Sequence, residues 1–190
     1  IGLIGNSKRF IDLLKSIEAA SKCNVRVLLE GGTGTGKELI AKAIHKFSER
    51  NTGNFSVIDC GAIPESLIES EIFGYVKGAF TGALKNRIGI IEDSNNGTLF
   101  IDEVCNLPLD MQTKFLRFIQ EKEFRAVGSN EVKKVDVRII AAASVPLIKL
   151  VKEKKFKEEL YYRLNVYPIQ VPSLDERVGD IASLVNHFIP

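Results

Sequence analysis

The sequence predicts an α/β fold built on a largely parallel sheet with helices over both faces. Three observations point there. β-rich apolar runs alternate with segments of helical periodicity, the pattern of strand and crossover helix. The 190 residues carry 45% hydrophobic side chains, enough for one well-buried domain spanning 1–190. No internal repeat or low-complexity linker divides them.

Taken in order, Phe10, Leu13, Leu14 and Ile17 fall at helical spacing, and "NVRVLLEGG" follows as a short β-rich run ending in glycines. Leu39, Ile40, Ala43, Ile44 and Phe47 form the stripe of a second helix, and Phe55 to Cys60 is a strand candidate. Pro64 suits the first turn of a helix running to about Phe73. "GTLFID" at 97–102 reads as a further strand, and Leu109 to Glu121 as an amphipathic helix. "EFRAVGSNEVKKVDVRIIAAAS" reads as a hairpin turning at Ser129-Asn130 and feeding a central strand, Val137 to Ala143.

The alternation lapses between Phe73 and Ile88. There "GYVKGAFTGALKNR" sets Phe80 among Gly78, Ala79, Thr81, Gly82 and Ala83. Each glycine costs a helix interior about 1 kcal/mol against alanine. The expectation is a mobile loop tip carrying one aromatic ring, with no packing partner among its neighbours. At this level the ring is either hidden by its own domain or held out for something else.

Composition narrows the function classes. The 26 basic and 24 acidic residues give a net charge of +2 and no broad electrostatic footprint for DNA or an anionic membrane. The densest charge run, "KEKKFKEE" from Lys152 to Glu159, fits a solvated helix face. Cys23, Cys60 and Cys105 are odd in number and lack CxxC spacing, which argues against a disulfide framework or zinc knuckle and for a reducing cytoplasm, with Cys60 as plain core. His45 and His187 lack metal-ligand spacing and read as structural or surface residues. No apolar stretch approaches the ~20 residues of a membrane span, and no signal peptide opens the chain. Starting at Ile1, the chain is expected to be a piece of a longer protein.

"EGGTGTGKE" satisfies Gly-x-x-x-x-Gly-Lys from Gly31 to Lys37, directly after a strand and before a helix. Gly31, Gly32, Thr33, Gly34, Thr35 and Gly36 let the backbone curl so that its N–H groups face phosphate oxygens, and the helix adds its positive end. Lys37 would neutralise the β and γ phosphates of ATP. The plain alternative, a glycine-rich turn without a ligand, fits this strand-loop-helix context poorly. The pattern asks for Ser or Thr next, to reach Mg²⁺, and Glu38 stands there, so something else must help hold the metal. "TLFIDE" is a buried strand delivering Asp102 and Glu103 to the ligand edge of the sheet. Asp102 is assigned to Mg²⁺ through its water shell, and Glu103 to orienting or activating the attacking water. An ordinary turn is the competing reading of that acidic pair.

Together, "GGTGTGKE", "ESEIFGYVKGAFTGA", "GTLFIDEV", "QTKFLRFIQEKEFRAVG", "VRIIAAAS" and "YYRLNVYPIQVPSLDER" resemble the AAA+ domain of bacterial sigma-54-dependent transcription activators, over nearly the whole chain. The resemblance implies a three-layer α/β/α P-loop NTPase with a mostly parallel five-stranded sheet and the GAFTGA loop, Gly78 to Ala83, as an insertion that touches sigma-54. It implies an ATPase that uses ATP and Mg²⁺, assembles as a homo-oligomeric ring, a hexamer at full length, and remodels the closed promoter complex in the cytoplasm. Arg163, in "LYYRL", is then the arginine finger reaching a neighbour's γ-phosphate; without the resemblance it reads as a surface ion-pair partner. Ser144 takes the position of a γ-phosphate sensor.

Four positions depart from the family pattern. Lys157 replaces an interface arginine and loses its bidentate fork. Asp59 stands where an asparagine is thought to hold the catalytic glutamate in check. Ser144 is shorter than the usual sensor, and Gly32 replaces a glutamate. The chain stops at Pro190, early in a helix starting near Gly179 and before the helical lid of the family, and neither a sensory nor a DNA-reading domain is included, so DNA contact is expected only through a domain outside this chain. The rival readings are a nucleotide-binding regulatory module with weak hydrolysis and, less consistent with GAFTGA, an unfoldase or helicase loader.

Overall fold

A computed structural model describes residues 2–188. The helices are α1 (Lys8–Ser21), α2 (Lys37–Lys46), α3 (Glu65–Phe73), α4 (Ile90–Asp93), α5 (Leu109–Glu121), α6 (Leu147–Lys152), α7 (Glu158–Leu164) and α8 (Ile181–Phe188). The strands are β1 (Val27–Glu30), β2 (Phe55–Asp59), β3 (Gly74–Tyr75), β4 (Arg87–Ile88), β5 (Thr98–Asp102), β6 (Glu123–Phe124), β7 (Lys133–Lys134), β8 (Arg138–Ala143) and β9 (Tyr167–Gln170). Five of them form one sheet in the order β2-β5-β8-β1-β9, every pair parallel.

Strand geometry divides the core into two halves. Successive side chains of a strand point to opposite faces, so Val27 and Leu29 of β1, Phe100 of β5 and Ile140 and Ala142 of β8 pack with α1 and α2 through Phe10, Ile17, Ile40 and Ile44. Leu28, Leu99, Ile101, Ile139 and Ala141 join the opposite half, under Ile72 of α3, Phe115 of α5 and Leu160 of α7. Every residue of β8 is buried, which suits the middle strand of a sheet covered on both sides. The layers are therefore α/β/α, and the sheet is wholly parallel where the sequence predicts a mostly parallel one.

Several local expectations are corrected. Leu14, Leu39 and Phe47 lie at helical spacing but are exposed, so the buried stripes of α1 and α2 are narrower than the sequence suggests. The 152–159 charge run is not a helix face: α6 ends at Lys152, Lys154 takes a left-handed φ of 56°, Phe156 is buried, and α7 starts at Glu158. Strands β6 and β7 form the predicted hairpin, but a 125–132 loop closes it in place of a tight Ser129-Asn130 turn. The final helix starts at Ile181, after a 3-10 segment at Asp175–Asp180, and Pro190 lies outside the described residues.

Asp180 ties this last segment to the first helix. Its Oδ1 accepts the Asn6 and Ser7 amides, both at 2.7 Å, and Oδ2 accepts the Ser7 hydroxyl at 2.7 Å. Ser7 in turn accepts the Phe10 N–H as the N-cap of α1. No helix of the described residues is long and apolar enough to cross a membrane.

Candidate functional site

In a parallel sheet all strand C-termini share one edge, and here that edge gathers Glu30, Asp59, Asp102, Ala143 and Gln170. The glycine loop leaves β1 and enters α2. Gly31 extends the pairing by donating to Ala143 O at 3.2 Å. A Cβ there would stand 2.6 Å from Val171 O, so only glycine fits. Gly34 and Gly36 take φ of 78° and 92°, the left-handed region a side chain disfavours. Thr35 closes the curl by donating its hydroxyl to Gly32 O at 2.8 Å. Thr33 is exposed at the bend. Gly32 has room for a side chain and needs no special φ, so its glycine is not dictated by the turn.

Lys37 is 6% exposed although it carries an ammonium. Its Nζ donates to Gly31 O at 2.8 Å and Gly32 O at 3.1 Å, and lies 3.7 Å from Glu103 Oε1. Glu38 does not join it. Its carboxylate pairs with Lys42 Nζ at 2.6 Å on the exposed side of α2, so of Glu38 only the backbone belongs to the cradle. That is the geometry expected of an i,i+4 pair on a helix.

Asp102 ends β5 and Glu103 follows with φ 48° and ψ 47°. A left-handed glutamate costs on the order of 1–3 kcal/mol, and such backbone strain concentrates at functional sites. Asp102 Oδ1 accepts the Glu103 amide at 3.0 Å, which helps hold this conformation. The two carboxyls are pushed apart electrostatically. For Asp102, burial raises the pKa, and the negative charges of Glu103 and Asp59 add to it against the amide bond and Lys37. For Glu103, burial also pushes upward, but the hydroxyl and amide of Ser144, the Cys105 thiol and the Lys37 charge outweigh it, and the net shift is down.

Strand order brings a third group in. β8 lies between β1 and β5, so Ser144, the residue after β8, stands between the glycine loop and the acidic pair. Its hydroxyl donates to Glu103 Oε2 at 2.6 Å and its amide at 3.2 Å. The Cys105 thiol donates to the same oxygen at 3.2 Å. Asp59, where the family pattern has an asparagine, makes no hydrogen bond to Glu103: its Oδ1 accepts the amides of Gly61 and Ala62 at 2.8 and 3.3 Å. No signal in the sequence pointed to Cys105, because its contact depends on the turn that follows Glu103.

The donor set suits a magnesium ion held in part by its substrate. Among the described residues no group of three or more His, Cys, Asp or Glu side chains could cage a metal. Mg²⁺ characteristically takes one or two carboxylates and completes its shell with phosphate and water, and Asp102 at the cradle fits that pattern.

Two further residues named from the sequence lie on or beside α7. Arg163 is exposed near the end of α7, and its charge acts on Arg26, the residue just before β1, at the opposite end of the strand from the glycine loop. Lys157 sits at the start of α7, its amide donating to Gln112 Oε1 at 2.8 Å.

The GAFTGA stretch caps a two-stranded ribbon, β3 and β4, inserted between α3 and α4. Arg87 braces its base through two bonds to Glu71, at 2.5 and 2.7 Å. The loop is internally bonded: Gly78 donates to Ala83 O at 2.9 Å, Ala83 to Phe80 O at 3.0 Å, and Lys77 to Asn86 Oδ1 at 2.8 Å. Ala83 is buried, whereas Thr81 and Gly82 are exposed. Phe80 is 44% exposed, and the ring has a packing partner after all in Tyr75, met edge-on with centroids 4.9 Å apart. Beside it Leu84 is 84% exposed. The hairpin loop supports the ribbon: Val127 donates to Gly74 O and accepts from Val76 N.

Comparison with known proteins agrees with this geometry. The family model described as "Sigma-54 interaction domain" matches residues 3–170. The chain is 48% identical over 187 residues to Regulatory protein AtoC of Escherichia coli (strain K12), covering 98% of this chain and 41% of that protein. It is 50% identical over 188 residues to the Signal-transduction and transcriptional-control protein of Clostridium beijerinckii, covering 98% of this chain and 30% of that one. The crystal structure of NtrX from Brucella abortus in complex with ATP superposes with a TM-score of 0.92 at 37% identity, covering 99% of this chain and 42% of that chain. The chain thus spans less than half the length of these relatives.

Proposed function

The chain belongs to the sigma-54 interaction domain family, and from that premise we propose that it is the ATP-hydrolysing AAA+ unit of a sigma-54-dependent transcription activator. In this reading it couples ATP hydrolysis to remodelling of the closed promoter complex, in the cytoplasm, as one subunit of a homo-oligomeric ring. Residues 1–190 form the motor, and DNA is met through a domain outside them.

The observation that carries the reading is that one chain holds Lys37 and Glu103 within 3.7 Å at the mouth of a glycine cradle, and on a separate ribbon presents Phe80 to solvent. The cradle amides of residues 31–38 bind the phosphates, and Lys37 offsets the charge that grows on the β and γ oxygens. Asp102 would hold Mg²⁺, which supplies charge neutralisation across the phosphates. Glu103 orients the attacking water and stays ionised, as its several donors require.

Arg163 completes the set from a neighbouring subunit. Its exposure on α7 supports action in trans. A contact that follows the γ-phosphate shifts the ribbon, so nucleotide state becomes loop position. Gly78 to Ala83 then touch sigma-54, with Phe80 as the anchor.

The deciding experiment measures binding of the full-length protein to sigma-54 with and without a transition-state mimic of ATP. Capture that depends on the mimic is expected. Equal binding in both arms, or none, would overturn the reading.

A further inference from the structure

The two oxygens of the Glu103 carboxylate are treated unequally. Oε2 accepts the Ser144 hydroxyl at 2.6 Å, the Ser144 amide at 3.2 Å and the Cys105 thiol at 3.2 Å. Oε1 faces the Lys37 ammonium at 3.7 Å. A carboxylate offers about four lone-pair sites, roughly two on each oxygen, so three donors fill Oε2 and leave accepting capacity on Oε1. The backbone is fixed as well, by the Asp102 side chain on the Glu103 amide at 3.0 Å.

We propose that Ser144 and Cys105 are positioning residues for hydrolysis: they lock Glu103 Oε2 so that Oε1 alone orients the attacking water. The inference rests on the reading of Glu103 as the water-orienting residue. It places the control of that glutamate at the end of β8 and the turn after β5. Asp59 makes no bond to Glu103, and its Oδ1 accepts the amides of Gly61 and Ala62.

The same geometry speaks against Ser144 as a direct phosphate sensor. A serine hydroxyl has one proton to give. Here it goes to Glu103, and the lone pairs left on Ser144 Oγ repel a phosphate oxygen. Cys105 is held in its donating form by the same contact. Burial raises its pKa, and the hydrogen bond to Glu103 and the glutamate's charge raise it further.

The test uses the full-length protein and four variants. Ser144→Ala is expected to lower kcat by roughly ten- to a hundredfold and Cys105→Ala by about three- to tenfold, the weight of a hydrogen bond to a charged group. The KM for ATP should hold within about twofold, since neither residue binds nucleotide in this scheme. Ser144→Thr and Cys105→Ser keep a donor and should restore most of the rate. Packing alone would not rescue Cys105→Ser relative to Cys105→Ala, as both side chains are smaller than the thiol. Unchanged kcat in the alanine variants, a raised KM at constant kcat, or failure of the donor-keeping variants would overturn the proposal.

A second readout needs no nucleotide. In a Cys23→Ser background, alkylation of the peptide bearing Cys105 is followed by mass spectrometry. Cys60 is buried with its thiol pushed up to about 12 and should stay silent. Glu103→Gln removes the charge that suppresses the Cys105 thiolate and should speed its alkylation several-fold; an unchanged rate counts against the contact. Glu103→Gln also separates the two readings. Retained turnover in that variant defeats the functional assignment itself, whereas lost turnover alongside normal Ser144→Ala and Cys105→Ala enzymes defeats only the positioning role.

Discussion

The rings of Tyr75 and Phe80 meet edge to face with centroids 4.9 Å apart and planes inclined at 62°, while 44% of Phe80 faces solvent. The ring is therefore half held by its own chain and half offered. An edge-on aromatic pair is worth about 0.5–1.5 kcal/mol beyond its area, too little to sequester the ring. Phe80→Ala in the full-length protein is expected to leave ATP turnover within about twofold and to abolish capture of sigma-54 in the presence of a transition-state mimic, since hot-spot aromatics carry ≥ ~2 kcal/mol each. A pull-down paired with a phosphate-release assay checks both halves; retained capture would remove Phe80 from the contact.

Lys37 and Glu103 should fail in different ways. Lys37→Ala removes the ammonium that sits on the cradle carbonyls, and nucleotide binding is expected to fall below detection. Glu103→Gln keeps the shape and loses the charge, so binding should persist while turnover drops by about 10²–10⁴. Fluorescent-nucleotide titration beside steady-state turnover distinguishes them, and equal loss of binding in both would contradict the division of labour.

Arg163 is exposed on α7, and in the trans reading Arg163→Ala is expected to lower kcat by ~10³–10⁵ without weakening ATP binding. Mixing full-length Arg163→Ala with full-length Lys37→Ala should regain part of the turnover, because an intact Arg163 can then face an intact cradle. Two inactive variants that stay inactive on mixing would place the arginine outside the reaction.

Acid should loosen the seam between α1 and the 3-10 segment at Asp175–Asp180. Burial pushes the Asp180 pKa up, but the Ser7 hydroxyl, the Asn6 and Ser7 amides and the Arg177 charge outweigh it, and the folded-state value lies below the ordinary carboxylate value of about 3.9. A depressed folded value means that the stabilisation is present above the unfolded value and is lost as pH falls through the folded one. Urea midpoints of wild type and Asp180→Asn should therefore differ at pH 7 and draw together as pH falls below the ordinary carboxylate value of about 3.9. A gap that widens in acid would show that the carboxylate is not the stabilising form.

The parts legible in the sequence were those whose signal is local. The glycine run, its flanking strand and helix, and the acidic pair at a strand end are fixed by spacing within a few residues, and Leu109–Glu121 is observed with its expected bounds. β9 was hidden from periodicity because it is short and carries Pro168; as an edge strand paired with β1 alone it tolerates the missing N–H. The meeting of Ser144 with Glu103 was invisible for a different reason. It follows from β8 lying between β1 and β5, a neighbour relation written in no single segment. Cys105 depends in addition on the left-handed turn at Glu103. Tyr75 was overlooked as a partner of Phe80 because the ribbon folds the chain back on itself.

Val127 is laced to Gly74 on one side and to Val76 on the other, the amide giving and the carbonyl receiving. The presented ring is consequently not a bait on a slack line. Ribbon and hairpin are stitched together at these two bonds, so the loop that carries the ring has a second attachment besides its own strands.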